Sequence, residues 1–199
     1  ALDVLVQKLM ACTDSDMPVA FDTETTDLNP FRAELVGIGL CWGEALDALA
    51  YIPLGHKGSE DSSPEQLPLE TVLTALAPWL ASNNHPKTLQ NAKYDRLILL
   101  RHGVALEGVV IDTLLADYLR DAAAKHGLEL MAEREFGFQP TAFTDLVGKK
   151  QTFADVPLAS ASLYCGMDVH VTRRLALLLR RQLETMGPQL LPLLEQVEQ

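Results

Sequence analysis

The sequence has few cysteines and no long run of apolar residues. Its three cysteines, Cys12, Cys41 and Cys165, form no CxxC pair and are odd in number. This pattern suggests neither a structural zinc site nor a disulfide framework, and it fits a reducing compartment of the cytosolic type. No apolar stretch approaches the ~20 residues of a membrane-spanning helix, and no cationic, apolar leader is found. The sequence therefore predicts a soluble domain with no membrane partner.

Basic residues are also scarce. The chain carries 16 Lys and Arg against 27 Asp and Glu, which gives a formal net charge of -11 at pH 7. Nonspecific affinity for nucleic acid comes mainly from Lys and Arg that neutralise phosphates, so the composition argues against a broad phosphate-tracking surface. A domain of this charge that handles nucleic acid would hold a chain end locally in a pocket. Metal ions would then offset the acidic charge.

The length and the apolar content fit one domain of ordinary size. The chain has 199 residues, of which 48% are hydrophobic. We expect a single domain over residues 1–199 that is a piece of a longer protein, because Ala1 already stands in a helical pattern. Strands are predicted at 19–23, 34–42, 48–54, 87–91 and 109–111, helices at 2–11, 69–81, 93–102, 114–120, 128–136 and 158–185, and loops at 55–68 and 137–157. This order indicates a mixed α/β domain with helices against the sheet.

Two carboxylates stand one residue apart near the end of the first predicted strand. Asp22 and Glu24 point to the same face of that strand, because successive side chains alternate between faces. Two acids side by side repel each other unless a cation lies between them. The pair alone therefore indicates either a metal site or an ordinary strand end that runs into solvent.

Two later motifs carry further acids. In the stretch QNAKYD, residues 90–95, Asp95 falls in the first turn of a predicted helix. There it either complements the helix dipole or serves a ligand in the strand-end crevice. In the last predicted helix, Tyr164 and Asp168 are spaced i, i+4 and share one face, although such pairs are common in helices without a function. Asp117 and Asp121 lie outside the motifs, and we expect them to be solvated surface charges.

The order of the three motifs is more specific than any one of them. DxE after a strand, NxKYD at a strand–helix junction and YxxxD in a late helix resemble the 3′–5′ exonuclease domain of family A DNA polymerases, the DNA polymerase I type. The resemblance covers nearly the whole chain. It implies an α/β, RNase H-like fold in which a mixed five-stranded sheet, an antiparallel meander followed by strand–helix units, is flanked by helices.

The resemblance implies a function as well. The domain would be a two-metal-ion 3′–5′ exonuclease that hydrolyses single-stranded or frayed DNA 3′ ends to nucleoside 5′-monophosphates. It would proofread for a polymerase domain in the same longer chain, as a monomer in the cytoplasm, meaning the bacterial cytosol, the nucleoid or an organelle. Four converging carboxylates repel by roughly 3 kcal/mol per pair at about 5 Å and an effective dielectric of about 20. An all-oxygen ligand set that needs cations favours two Mg²⁺ ions, with Mn²⁺ as a substitute.

Each site residue receives a role from the resemblance. Asp22 would bridge both ions, Glu24 and Asp168 would complete the tighter site, and Asp95 would hold the second ion largely through water. Tyr164, with Glu24, would orient the attacking water. The residues that would contact the terminal nucleotide and nearby backbone are Thr25, Leu28, Asn91, Tyr94, His126 and Phe143.

Some of these substrate contacts have alternatives. Leu28 would wedge against the terminal base and Phe143 would stack from the other side, where stacking on an aromatic ring is worth about 1–3 kcal/mol per base. Both positions also fit plain core packing. His126 is either a phosphate contact or a cap of the following helix.

Two other functions stay open. RNase D-like enzymes that trim RNA share the three motifs and differ in substrate. A catalytically silent domain would only scaffold a neighbouring polymerase domain or bind a 3′ end, and the presence of all four acids disfavours it. The segment 141–153, which lies over the substrate in relatives, has Lys149 and Lys150 as its only basic residues, so we expect a weak grip on the strand.

Overall fold

The computed structural model of the chain describes residues 1–45, 47–58 and 65–198. In chain order the elements are α1 (Leu2–Met10), β1 (Val19–Thr25), β2 (Leu35–Cys41), β3 (Leu49–Pro53), α2 (Leu69–Leu80), β4 (Lys87–Leu89), α3 (Ala92–Arg101), β5 (Val109–Asp112), α4 (Thr113–Arg120), α5 (Leu128–Phe136), α6 (Phe143–Leu146), α7 (Leu158–Met186) and α8 (Leu190–Glu198). A short 3₁₀ helix, Phe153–Asp155, precedes α7. Within these described ranges, none of the helices combines the length and the apolarity that crossing a membrane requires.

The strands form one mixed sheet in the order β3-β2-β1-β4-β5. The first three strands make an antiparallel meander, whereas β4 pairs parallel to β1 and β5 pairs parallel to β4. The predicted five-stranded mixed sheet is confirmed. Because β1 and β4 run in the same direction, their carboxyl ends meet at one edge of the sheet, which is where open α/β sheets hold ligands.

Alternation along β1 separates two layers of helices. Val19 and Phe21 are fully buried in the core that the sheet shares with α1, α2 and α3. Ala20 points to the opposite face and packs against Val169 of α7, the helix that crosses all five strands on that side. Asp22 and Glu24 have the same parity as Ala20. The fold therefore turns both carboxylates toward α7.

Helix starts and ends differ in part from the predictions. Asn91 occupies the N-cap position of α3, but its side chain makes no cap bond and its φ of 66° is left-handed. Asp112 instead accepts the backbone N–H groups of Asn91 at 3.0 Å and Ala92 at 2.8 Å. Asp112 also caps α4 through Leu114 N–H at 2.9 Å. One carboxylate of β5 thus fixes the start of two helices beside the sheet edge.

Other helices lie where the pattern is weak. The predicted loop 137–157 contains α6 and the 3₁₀ helix, whose four and three residues are too short to show a period. Helix α8 follows Gly187 and Pro188, which separate it from α7, and Leu194 buries it against the α4–α5–α7 core. Helix α2 continues through Pro78 to Leu80, because Trp79 and Leu80 are fully buried beyond it.

Candidate active site at the carboxyl edge of the sheet

An open cleft of about 410 Å³ lies at the edge where β1 and β4 end. All five residues that the sequence assigns to catalysis line it: Asp22 and Glu24 from β1, Asp95 from α3, and Tyr164 and Asp168 from α7. Three motifs that are far apart in the chain therefore meet in one place. The other lining residues are Thr23, Thr25, Thr26, Asp27, Leu28, Gln90, Asn91, Tyr94, Phe143, Gln151 and Thr152.

Two glycines of β2 make room behind the β1 carboxylates. In the strand register Gly39 is the partner of Asp22, and Gly37 is the partner of Glu24. A Cβ atom on Gly39 would lie 2.4 Å from Cys165 Sγ, and a Cβ on Gly37 would lie 2.1 Å from the Tyr51 hydroxyl oxygen. Any side chain at either position would displace α7 or Tyr51. The glycines thus allow α7 to approach the sheet closely beside the acids.

Asp95 is held against β1 by Thr23. The Thr23 backbone N–H donates to Asp95 Oδ1 at 3.0 Å and the Thr23 hydroxyl donates to the same oxygen at 2.6 Å. Both residues are buried. Thr23 therefore positions a carboxylate that α3 delivers to the cleft. Thr23 stands inside the DxE motif, but no local sequence pattern predicts its contact with Asp95, which is 72 positions away.

Helix α7 brings a phenol and a carboxylate to the same wall of the cleft. Their i, i+4 spacing brings the Tyr164 hydroxyl and the Asp168 carboxylate to one helix face, where the two groups interact electrostatically. Burial and the charge of Asp168 raise the pKa of the Tyr164 phenol. The hydroxyl therefore stays protonated in the neutral range and acts as a donor.

Burial raises the pKa of all four carboxyl groups, and repulsion by neighbouring carboxylates raises it further for Glu24, Asp95 and Asp168. Desolvation raises the pKa of Asp22 to about 6, and desolvation together with the charge of Asp22 raises that of Asp168 to about 8. The pKa values of Glu24 and Asp95 lie well above their ordinary range, first through burial and then through neighbouring carboxylates. Without a cation, the cluster therefore retains protons near neutral pH.

The donor set fits divalent cations. Glu24 is only 6% exposed, and its Oε1 atom accepts no hydrogen bond within the described part of the chain. A buried carboxylate oxygen without a partner is costly unless a cation or a proton compensates it. Among the described residues, one tight group has ligand atoms that all lie within 4.8 Å of one another: Asp22, Glu24 and Cys165. Asp95 and Asp168 stand around this group on the same cleft.

The predicted substrate residues lie mostly along the mouth of the cleft. Tyr94 donates its hydroxyl to the Asp27 carbonyl oxygen at 2.5 Å and lies 2.5 Å from Thr25 Oγ1, so the β1 exit is fixed to α3. Leu28 is 90% exposed and Phe143 is 40% exposed, which rules out plain core packing for both. Thr25, Leu28, Asn91, Tyr94 and Phe143 all line the cleft.

A buried phenylalanine supports the two aromatic walls of the cleft. Phe153, which is fully buried, stacks on Phe143 with ring centroids 6.4 Å apart and contacts Tyr164 at 5.9 Å. On its other side it meets His56, whose ring bonds to the Tyr51 hydroxyl at 2.6 Å. No sequence pattern predicts this role of Phe153, because Phe153 lies in a segment without a periodic pattern.

Two predictions outside the carboxylate cluster need correction. Asp117 is not a solvated surface charge: its carboxylate is fully buried and accepts hydrogen bonds from Arg120 at 2.5 Å and Arg134 at 2.6 Å. His126 Nδ1 lies 2.6 Å from the same carboxylate. These partners offset the desolvation of Asp117. Arg120 is 3 residues away in the chain, His126 is 9 and Arg134 is 17. Asp121 is exposed, as predicted.

His126 does not line the cleft, because its ring turns to Asp117. Its predicted role as a cap is wrong, since Gly127 occupies the N-cap position of α5. A phosphate contact by His126 stays a prediction. Its backbone is nevertheless linked to the cleft, because Gln90 Nε2 donates to the His126 carbonyl oxygen at 2.8 Å.

Comparison with known proteins agrees with this geometry. A family profile described as 3′–5′ exonuclease matches residues 1–184. The DNA polymerase I of Synechocystis sp. is 43% identical over 200 residues, which cover 100% of this chain and 20% of that protein. The chain therefore spans about a fifth of the length of this curated relative.

Solved structures share the fold at lower identity. Escherichia coli RNase D, described as an exoribonuclease involved in structured RNA processing, superposes with a TM-score of 0.68 at 19% identity, covering 96% of this chain and 45% of that one. Brucella melitensis NrnC with bound Mg²⁺ gives a TM-score of 0.62 at 21% identity, covering 94% and 83%. At these identities the likeness shows the fold alone.

Proposed function

The chain belongs to the 3′–5′ exonuclease family of family A DNA polymerases, and from this premise we propose that it hydrolyses single-stranded or frayed DNA 3′ ends to nucleoside 5′-monophosphates. It does so as the proofreading module of a DNA polymerase I-type enzyme whose polymerase domain lies in the same longer chain. The bacterial polymerase that it resembles supports a place in the cytosol or nucleoid. One observation carries the proposal: Asp22, Glu24, Asp95 and Asp168 converge with Tyr164 on one cleft.

The family depends on divalent metal, and the residues of the cleft fit that need. We assign two Mg²⁺ ions to the site, with Mn²⁺ as a substitute, because the ligands are mainly carboxylate oxygens. When bound, such ions polarise the phosphodiester and lower the pKa of bound water. Asp22 would contact both ions, Glu24 and Asp168 the tighter one, and Asp95 the second.

The side chains of the chain itself position the reactants. Tyr164 keeps its proton and, beside Glu24, orients the attacking water by hydrogen bonding rather than by taking its proton. Leu28 and Phe143 are exposed at the cleft and hold the terminal base from two sides without reading its identity. Thr25, Asn91 and Tyr94 contact the terminal nucleotide. A cleft of about 410 Å³ suits the end of a single strand better than a duplex.

A substitution with a matched control tests the proposal. Asp22→Ala should abolish metal-dependent trimming of a labelled DNA strand, whereas Asp121→Ala, which removes an exposed acid outside the cleft, should leave it unchanged. The same assay on an RNA strand of equal sequence separates this function from RNA trimming. Equal activity of Asp22→Ala and the wild type would refute the proposed exonuclease function. A clear preference for the RNA strand would mean that the substrate is RNA rather than DNA.

A further inference from the structure

A buried thiol lies beside two carboxylates of the cleft, Asp22 and Glu24. Cys165 is fully buried on α7 and its Sγ atom lies over Gly39, the strand partner of Asp22. Cys165 also interacts directly with the Glu24 carboxylate. The proposed Mg²⁺ ions are assigned to carboxylate oxygens alone. This sulfur therefore has no role in that function.

The geometry of this group suits a metal ion that accepts sulfur. Ligand atoms of Asp22, Glu24 and Cys165 all lie within 4.8 Å of one another. A tetrahedral Zn²⁺ ion with a sulfur ligand at about 2.3 Å and an oxygen ligand at about 2.1 Å separates the two ligand atoms by about 3.6 Å. The side chains therefore need to close by only about 1 Å. Glu24 Oε1, buried and without a hydrogen-bond partner among the described residues, is available as a ligand.

We propose that Asp22, Glu24 and Cys165 form a mixed oxygen–sulfur site that captures thiophilic divalent cations, Zn²⁺ or Cd²⁺, at the place assigned above to a catalytic Mg²⁺ ion. The inference rests on the proposed function for the location of that ion. Thiolate ligands select Zn²⁺ and similar soft cations, whereas Mg²⁺ requires oxygen ligands and octahedral geometry. As the sulfur–metal bond forms, the S–H bond breaks and its proton passes to water.

Capture of such an ion has a consequence for activity. An ion drawn toward Cys165 Sγ occupies the carboxylate oxygens that the Mg²⁺ ion needs, in a geometry of lower coordination number. Zn²⁺ and Cd²⁺ are therefore inhibitors of trimming, and removing the thiol relieves the inhibition. A site made of carboxylates alone would bind these ions less tightly.

The direct test uses a parent protein in which Cys165 is the sole thiol. Cys12→Ser and Cys41→Ser together remove the other two cysteines, and serine keeps the hydrogen bond from residue 41 to the Gly43 carbonyl oxygen. Titration of this parent with Cd²⁺ should produce an ultraviolet thiolate-to-metal charge-transfer band that saturates at one ion per chain. Mn²⁺ binding to the same protein, followed by electron paramagnetic resonance, reports on the carboxylate site independently.

Cys165→Ser in this parent should abolish the band and weaken Cd²⁺ binding by about tenfold or more, while Mn²⁺ binding stays unchanged. Cys165→Ala should behave in the same way. Because alanine adds no hydroxyl group, agreement between the two variants shows that the loss of the sulfur ligand causes the change. A parent that binds Mn²⁺ but shows no Cd²⁺ band would overturn the thiol site and leave the proposed function standing. A protein that binds neither ion would overturn both.

Discussion

Thr23 donates two hydrogen bonds to a single oxygen of Asp95, although the two residues are 72 positions apart in the chain. This contact joins β1 to α3 at the point where the cleft opens. Because β1 carries two acids and α3 carries the third, Thr23 sets the distance between them. The position of Asp95 is therefore a property of the tertiary fold rather than of its own helix.

Thr23→Val should lower both activity and stability. Valine keeps the shape of threonine but leaves Asp95 Oδ1 without the hydroxyl bond. A buried acceptor that loses a hydrogen-bond partner costs about 1–3 kcal/mol. We expect the free energy of unfolding in urea to fall by about that amount and trimming to slow. Thr23→Ser should restore most of both, and a valine variant with wild-type activity would contradict the role of Thr23.

Stability without metal should fall as pH rises. The folded-state pKa values of Asp22 and Asp168 are raised from 3.8 to about 6 and about 8. Between these values and 3.8 the folded protein binds more protons than the unfolded chain, so each raised pKa destabilises the fold with increasing pH. We expect the free energy of unfolding in a chelator to decrease from about pH 4 to about pH 8.

Saturating Mg²⁺ should flatten that pH dependence, because the cation replaces the protons. Asp168→Asn should flatten its upper part even in the chelator, since the group with the pKa of about 8 is removed. Urea unfolding at several pH values measures both effects. If the free energy of unfolding in the chelator rises with pH over this window, the pKa values of the carboxyl groups are not raised in the folded protein.

Tyr164→Phe should slow hydrolysis and leave the affinity for a single strand nearly intact. The substitution removes the hydroxyl that interacts with the Asp168 carboxylate but keeps the ring against Phe153. Single-turnover trimming and a binding titration separate the two quantities. Tyr118→Phe, at an exposed position on α4, is the matched control. Lost binding with intact chemistry would mean that the phenol holds the strand instead.

Phe153→Leu should weaken strand binding although Phe153 is buried away from the substrate. The smaller side chain leaves space beneath Phe143 and Tyr164, and we expect a stability loss of about 1–3 kcal/mol. Phe138→Leu, at a more exposed ring, serves as the control. Equal strand affinity of the Phe153 variant and the wild type would show that the two aromatic walls keep their positions without this support.

The sequence predicted the parts of the site that lie in local patterns. Strand alternation placed Asp22 and Glu24 on one face, and i, i+4 spacing placed Tyr164 beside Asp168. The order of the strands and helices indicated a mixed α/β domain, whereas the five-stranded sheet followed from the resemblance to the exonuclease family. These features depend on residues within a few positions of one another, or on motifs whose joint order is specific.

Other features depend on contacts that no local pattern shows. Asp117 looks like a surface acid on an amphipathic helix, and its burial follows only from Arg134 and His126, which the next helix and its loop bring to it. Asp112 replaces Asn91 at the start of α3 because β5 lies beside β4. The orientation of Phe153 likewise follows from three-dimensional packing.

In the proposed function, this cleft removes nucleotides from a 3′ end with the help of divalent cations. The most direct test of that function is product analysis of a DNA single strand labelled at its 5′ end, with Mg²⁺ and with a chelator. With Mg²⁺ the labelled strand should shorten one nucleotide at a time and release nucleoside 5′-monophosphates, and the chelator should stop the reaction. An intact strand, internal cuts, or shortening that continues in the chelator would contradict the account.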